Sequence, residues 1–188
     1  MDRERALGVR VVLLDADGVM TDGGLYFGSG DTGVAEGRRF HVHDGIAVHM
    51  LHRASIPVAI VSGKLSAPVR QRAAMLGIDE VHQVSPYGKL TAVDGILSRL
   101  GFSWDDAAFL GDDLADLPVL RKVGLPAAVA NAVPEVRDVA AWCGEKKGGE
   151  GAVREFVEAL LRARGEWDRL IEEYMNKCFA QWEEDRSD

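Results

Sequence analysis

Cysteine is nearly missing from this chain: Cys143 and Cys178 are its only two among 188 residues. They lack metal-ligand spacing, so neither a disulfide framework nor a thiolate metal site is expected, and a reducing, cytoplasmic setting fits. No apolar run approaches the ~20 residues of a membrane-spanning helix. The first residues, MDRERALGVR, carry no signal-peptide hydrophobic region. A basic excess is also lacking. Lys and Arg number 22 against 30 Asp and Glu, for a net charge of −8. With no basic stripe, neither a nucleic acid nor a membrane surface is an expected partner. An anionic ligand would need a few local cations and a metal ion. Internal repeats and low-complexity segments are absent as well. What is present is ordinary for a soluble globular protein, 47% apolar and 28% charged residues in a length that suits a single core.

Apolar runs and helical periods alternate along the chain. Strands are expected at Val11–Leu14, Pro57–Val61, Glu80–His82, Ala107–Leu110 and Ala127–Ala130. Helices are expected near Gly45–Ala54, Ala67–Leu76, Lys89–Leu100, Leu114–Val123 and Val133–Val139. This rhythm predicts an α/β fold, a Rossmann-like parallel sheet with helices on both faces. Two segments interrupt it. Residues 23–40, with LYFGSGDTGVAEGRRF, read as a β-hairpin inserted after the first strand. No insertion is large enough for a cap domain. A last helix, Trp167–Trp182, aligns Trp167, Leu170, Ile171, Tyr174, Met175, Cys178, Phe179 and Trp182 in one apolar stripe. Docking on its own domain and a role between subunits are equally open. The expected division is a catalytic unit over 1–164 and a helical extension over 165–188.

The most informative segment is Arg10–Gly24, RVVLLDADGVMTDGG. Its apolar run stops at Asp15-Ala16-Asp17-Gly18, where a buried parallel strand would end, and ligands of open α/β sheets bind at such ends. Residues two apart on an extended chain face the same way, so Asp15 and Asp17 should both face the crevice. Carboxylates about 4 Å apart repel by roughly 4 kcal/mol at an effective dielectric near 20. A divalent cation with oxygen ligands would offset that. A turn or helix cap could use the same residues. A second run, Ala107–Leu110, however, also ends on carboxylates, in Gly111-Asp112-Asp113-Leu114-Ala115-Asp116. Two such strand ends look like two sides of one magnesium site.

With DADGVMTDG, VSGK, a downstream lysine and GDDLADLPVL in order, the chain resembles the haloacid dehalogenase superfamily of phosphohydrolases. Within it, the chain looks like the small capless members acting on 3-deoxy-D-manno-octulosonate 8-phosphate. The resemblance runs from about Val11 to Arg164. It implies that Asp15 is the nucleophile that becomes an aspartyl phosphate, and that Asp17 is the general acid and base. It further implies magnesium held by Asp15, the Asp17 backbone carbonyl and Asp112, with Asp113 assisting. Ser62 matches the phosphate-binding hydroxyl, Gly63 would admit the backbone to the phosphate oxygens, and Lys89 would balance charge. Asp116 is more ambiguous, since an acid in a helix first turn is common on dipole grounds alone.

For a sugar-acid carboxylate the candidate cations are Lys64, Arg72 and Arg154, with Thr21 and His43 as further substrate contacts. The resembled group usually has arginine where Lys64 stands and threonine where Ser62 stands. Lysine cannot form arginine's bidentate fork on a carboxylate, so recognition of the acid can differ. EKKGGEGAVREF also resembles phosphatases of nine-carbon keto-sugar phosphates, which keeps that substrate as an alternative. A catalytically silent scaffold is the alternative from another class. His41, His49, His52 and His82 form no expected ligand set. Without a cap, the family likeness implies a homotetramer, with the apolar hairpin residues Leu25, Tyr26 and Phe27 suited to contact between subunits.

Overall fold

A computed structural model describes residues 1–30 and 33–186. Six parallel strands form one sheet: β1 (Val11–Leu14), β4 (Val58–Ser62), β5 (Glu80–Gln83), β6 (Ala107–Gly111), β7 (Leu125–Ala128) and β8 (Trp142–Cys143). Their order is β5-β4-β1-β6-β7-β8. Strand β1 is central, with Leu14 level with Ile60 on one side and Leu110 on the other. Its residues are fully buried. Continuous Val/Leu composition therefore suits it better than polar alternation, because helices cover both faces.

One helical layer contains α1 (Arg3–Gly8), α2 (His43–Arg53) and α7 (Ala152–Arg164), with α3 (Ala67–Met75) beside α2. The other contains α4 (Lys89–Leu100), α5 (Leu117–Leu120) and α6 (Pro134–Val139). The hairpin is β2 (Tyr26–Gly30) against β3 (Gly33–Gly37), antiparallel and separate from the main sheet. Residues 31–32 of the expected hairpin, like 187–188 of the extension, lie outside the described residues.

Two expected elements differ most from those observed. The strand expected at Ala127–Ala130 begins two residues earlier, at Leu125. Pro126 is part of it: this residue pairs with Phe109, and its carbonyl accepts the Ala141 N–H. The helix expected over Leu114–Val123 contracts to α5. Residues 112–116 instead form a turn around the Asp116 carboxylate, and Pro118 sits in the helix first turn. Strand β8 and helix α1 were not expected. Asp2 caps α1 by accepting the Arg5 N–H at 2.9 Å, and Arg164 donates to the carbonyls of Ala6 and Val9 at its far end.

Gly165, at φ +75°, separates α7 from α8 (Trp167–Glu184). Only the first half of α8 docks: Trp167 and Leu170 are buried, whereas Met175, Phe179 and Trp182 are exposed. Among the described residues, no helix is long and apolar enough to cross a membrane.

Candidate active site

The carboxyl ends of β1, β4 and β6 meet at a cleft of about 220 Å³. Asp15, Asp17, Ser62, Gly63, Lys64, Lys89, Asp112, Asp113 and Asp116 all line it. Beyond β1 the chain makes one wide turn, closed by the Thr21 N–H on the Ala16 carbonyl at 3.0 Å. Gly18 has φ +89°, and a Cβ there would lie 2.0 Å from Asp112 Oδ2. Only glycine both permits the turn and leaves room for the second strand's carboxylate.

Lys89 is the electrostatic hub. Its buried ammonium donates to Asp15 Oδ1 and to Asp116 Oδ1, each at 2.6 Å. Asp116 turns its other oxygen to the N–H groups of Asp112 and Asp113, at 3.0 and 3.4 Å. It makes no side-chain cap on α5, so the first-turn explanation does not hold for it. Gly111 makes room for this arrangement, since a Cβ there would lie 2.7 Å from Asp116 Oδ2.

Charge crowding governs protonation here. Burial raises the Asp15 carboxyl well above its usual range; Asp116 adds to this and Lys89 opposes it. Burial, then Asp116 and Asp113, push Asp112 up to about 7. For Lys89 burial opposes the charged form, but Asp15 and Asp116 outweigh it and raise its pKa. A divalent cation fits this pattern. Ligand atoms of Asp15, Asp112 and Asp116 lie within 4.8 Å of one another, the only such His/Cys/Asp/Glu group among the described residues. Asp112 Oδ1 is buried without a hydrogen-bond partner. Because Asp116 already accepts from Lys89 and two backbone N–H groups, Asp15 and Asp112 have the freer oxygens.

Ser62 is buried, and its hydroxyl exchanges hydrogen bonds with the Lys64 backbone at 3.2 and 3.3 Å. A Cβ on Gly63 would meet Lys89 and Pro86 at 3.6 Å, ordinary contact. No protein atom therefore demands glycine, and a side chain would instead fill the cleft. Lys64 reaches Glu36 Oε1 of the hairpin at 2.9 Å. Asp113, more exposed, accepts the Leu114 N–H.

Four expected substrate contacts lie outside the cleft lining. Thr21 is fully buried, and its hydroxyl accepts the N–H groups of Gly18 and Gly23. The His43 N–H donates to the His41 ring. Arg72 donates to the His41 carbonyl at 3.2 Å. Arg154 pairs with Glu158 and stacks 4.8 Å from the Trp167 ring centroid.

Sequence reasoning missed three supports. Arg38, just after β3, donates to Asp17 Oδ1 at 2.6 Å. Asn131 bridges the Gly18 carbonyl, at 3.0 Å, and the Gly148 N–H, at 2.7 Å. Asp44 accepts the Arg154 N–H at the start of α7, where Gly151 has no side chain to cap with. No local sequence pattern points from Asp44 or Asn131 to its partner.

Residues 85–156 match the family model of haloacid dehalogenase-like hydrolases. The chain is 38% identical over 164 residues to the 3-deoxy-D-manno-octulosonate 8-phosphate phosphatase of Escherichia coli K12, covering 87% of this chain and 85% of that protein. The crystal structure of the Moraxella catarrhalis phosphatase of that name, in complex with magnesium, phosphate and KDO, superposes with a TM-score of 0.85. It is 34% identical, covering 92% of this chain and 97% of that one. The cobalt-bound enzyme from Haemophilus influenzae is also 34% identical, covering 87% of this chain and 93% of that one with a TM-score of 0.79. With two carboxylate-ended strands, a lysine between them and relatives of this similarity along most of its length, the chain belongs to the haloacid dehalogenase-like hydrolase family and is a phosphoric monoester hydrolase.

Proposed function

We propose that this protein is a magnesium-dependent phosphatase of 3-deoxy-D-manno-octulosonate 8-phosphate. The observation that carries this reading is the meeting of Asp15, Asp112 and Asp116 around Lys89 at the strand ends. Magnesium would be held by Asp15, Asp112 and the Asp17 backbone carbonyl, and would supply positive charge to a phosphate oxygen. Asp15 attacks phosphorus as the sugar–oxygen bond to phosphorus breaks, and Asp17 gives its proton to the departing alkoxide. Asp17 then takes a proton from the water that cleaves the aspartyl phosphate, releasing phosphate and restoring both carboxyl groups. Ser62 and Lys89 offset charge on the transferring group. Asp113 orients a water at the rim.

Lys64 is the cation that the cleft offers to the sugar acid. Arg72 and Arg154 remain candidates only in an assembly that brings a neighbouring subunit's α3 or α7 to the mouth. Such an assembly, a homotetramer, is supported by exposed apolar residues. Leu25, Tyr26 and Phe27 are exposed on the hairpin, and Tyr87 and Leu114 beside the cleft. The catalytic unit is residues 1–164, working in the cytoplasm.

Phosphate release with magnesium, measured across eight-carbon and nine-carbon ulosonate phosphates and hexose phosphates, tests the reading. A preference of about a hundredfold for the eight-carbon acid, ~2.7 kcal/mol of transition-state discrimination, is expected. Preference for the nine-carbon acid would transfer the assignment to that substrate. Failure to hydrolyse any ester would leave a silent scaffold.

A further inference from the structure

The hairpin touches the cleft through a chain of alternating charges. Asp17 Oδ1 takes the Arg38 Nε–H at 2.6 Å, Arg38 Nη2 lies 2.5 Å from Glu36 Oε1, and Lys64 Nζ lies 2.9 Å from the same oxygen. The Arg38 side chain is wholly covered, and Nη1 also donates to the Gly37 carbonyl. Asp17 and Lys64 both line the cleft, one after β1 and the other after β4. The hairpin end therefore meets the cleft at two points. Other ties to the body near this end include the Thr21–Phe40 bridge, the Arg39–Asp22 ion pair and the Tyr26 hydroxyl donating to Asp22. A two-stranded hairpin alone has little stability of its own.

We infer that Arg38 is a positioning residue for Asp17, coupling the hairpin to the proton-transfer step. A carboxylate on a turn rotates freely unless something holds it. Proton transfer to a leaving oxygen requires hydrogen-bond reach and a set direction. Arginine's Nε–H occupies Oδ1 and leaves Oδ2 for the leaving oxygen. Glu36 keeps the guanidinium from swinging away, so the direction of the Asp17 carboxyl follows the hairpin's position. Whatever fixes the hairpin thereby tunes transfer of the proton while leaving the nucleophile Asp15 untouched. The inference rests on the assignment of Asp17 as general acid.

Arg38→Ala and Arg38→Lys test it on two esters that differ in their need for an acid. One is a sugar phosphate, whose alkoxide must be protonated. The other is p-nitrophenyl phosphate, whose phenolate leaves without help. The expected result for Arg38→Ala is a loss in kcat of about thirtyfold or more on the sugar phosphate, against about threefold or less on the phenyl ester. KM should change little, and Arg38→Lys should restore most of the loss. Equal losses on both esters, or unchanged activity on both, would overturn the inference. If Arg38→Ala fails to fold, Arg38→Gln decides: a loss in kcat confined to the sugar phosphate supports positioning, and equal losses or unchanged activity on both esters refute it. Asp17→Asn separates the two levels. An active wild type whose Asp17→Asn variant loses alkyl-ester turnover keeps the general-acid reading, whatever Arg38 does. An Asp17→Asn variant with normal turnover removes that reading and the inference with it.

Discussion

Lys89 and Asp116 form a buried ion pair at 2.6 Å, and the same ammonium reaches Asp15 at an equal distance. Two carboxylates thus share one cation, and removing either kind of partner has different consequences. Lys89→Met leaves Asp15 and Asp116 buried without their counter-charge. It should cost about 3–5 kcal/mol of stability and reduce turnover by about a thousandfold or more. Adding Asp116→Asn removes one of the stranded charges. The double variant should regain part of the melting temperature and none of the activity. Thermal unfolding and phosphate release on the two singles and the double form the cycle. Independent, additive effects on stability would contradict the shared cation.

The pH dependence of metal binding follows from Asp112. Its carboxyl is pushed up to about 7 from 3.8, first by burial and then by Asp116 and Asp113. The folded, metal-free protein therefore holds this proton more tightly than the unfolded chain does. The group destabilises the fold as pH rises between those two values, and that loss persists above them. As a proposed magnesium ligand, Asp112 would exchange that proton for the ion, which favours the ionised carboxyl. The gain in melting temperature on adding magnesium should therefore be larger at pH 8 than at pH 5.5. Equal gains at both pH values would place the ion away from Asp112.

Asn131 and Gly148 brace the catalytic turn from behind. Asn131 joins Gly18 to Gly148, and a Cβ on Gly148 would lie 2.0 Å from the Gly18 carbonyl oxygen and 2.6 Å from that of Thr21. These neighbours are backbone and cannot yield as a flexible side chain would. Gly148→Ala should therefore displace the turn and lower kcat more than KM. Asn131→Ala leaves two backbone groups unsatisfied, at a cost of about 1–3 kcal/mol. Kinetics and thermal unfolding check both. A Gly148→Ala variant with normal kcat would show that the turn does not depend on this packing.

What could be read from the sequence depended on range. Asp15, Asp17, Ser62 and Asp112 each lie at or just past the end of an apolar run, and the order of runs implies one sheet edge. Their meeting at one cleft follows from strand position alone. Arg38, Asn131 and Asp44 have no such marker, because their partners lie far along the chain in elements that meet only once the fold is complete. Arg154 illustrates the converse. A cation on a predicted helix has many possible acceptors, and here Glu158 and the Trp167 ring take it. Helix α5 is short because Asp116 serves Lys89 and the 112–113 backbone rather than a helix terminus. A helical period cannot encode that competition.

The apolar stripe of α8 is one pattern with two fates, and its ends should respond differently to substitution. Trp167 is 2% exposed, packed under Arg154 and Arg162, while Trp182 is 55% exposed. Midway, Glu173 pairs with Arg53 and Tyr174 meets the His49 ring edge-on at 5.7 Å, so contact with the body fades along the helix. Trp167→Ala should cost about 3–5 kcal/mol through lost burial and the cavity left behind. Trp182→Ala should change stability of the isolated subunit by about 0.5 kcal/mol or less. Chemical denaturation at several protein concentrations separates the effects. A Trp182→Ala penalty that appears only at high concentration would mean that a second copy covers the outer half of the stripe. A penalty independent of concentration would require a contact within the same chain. Shortening the chain after Tyr174 should behave like Trp182→Ala, because the buried part of the helix is retained.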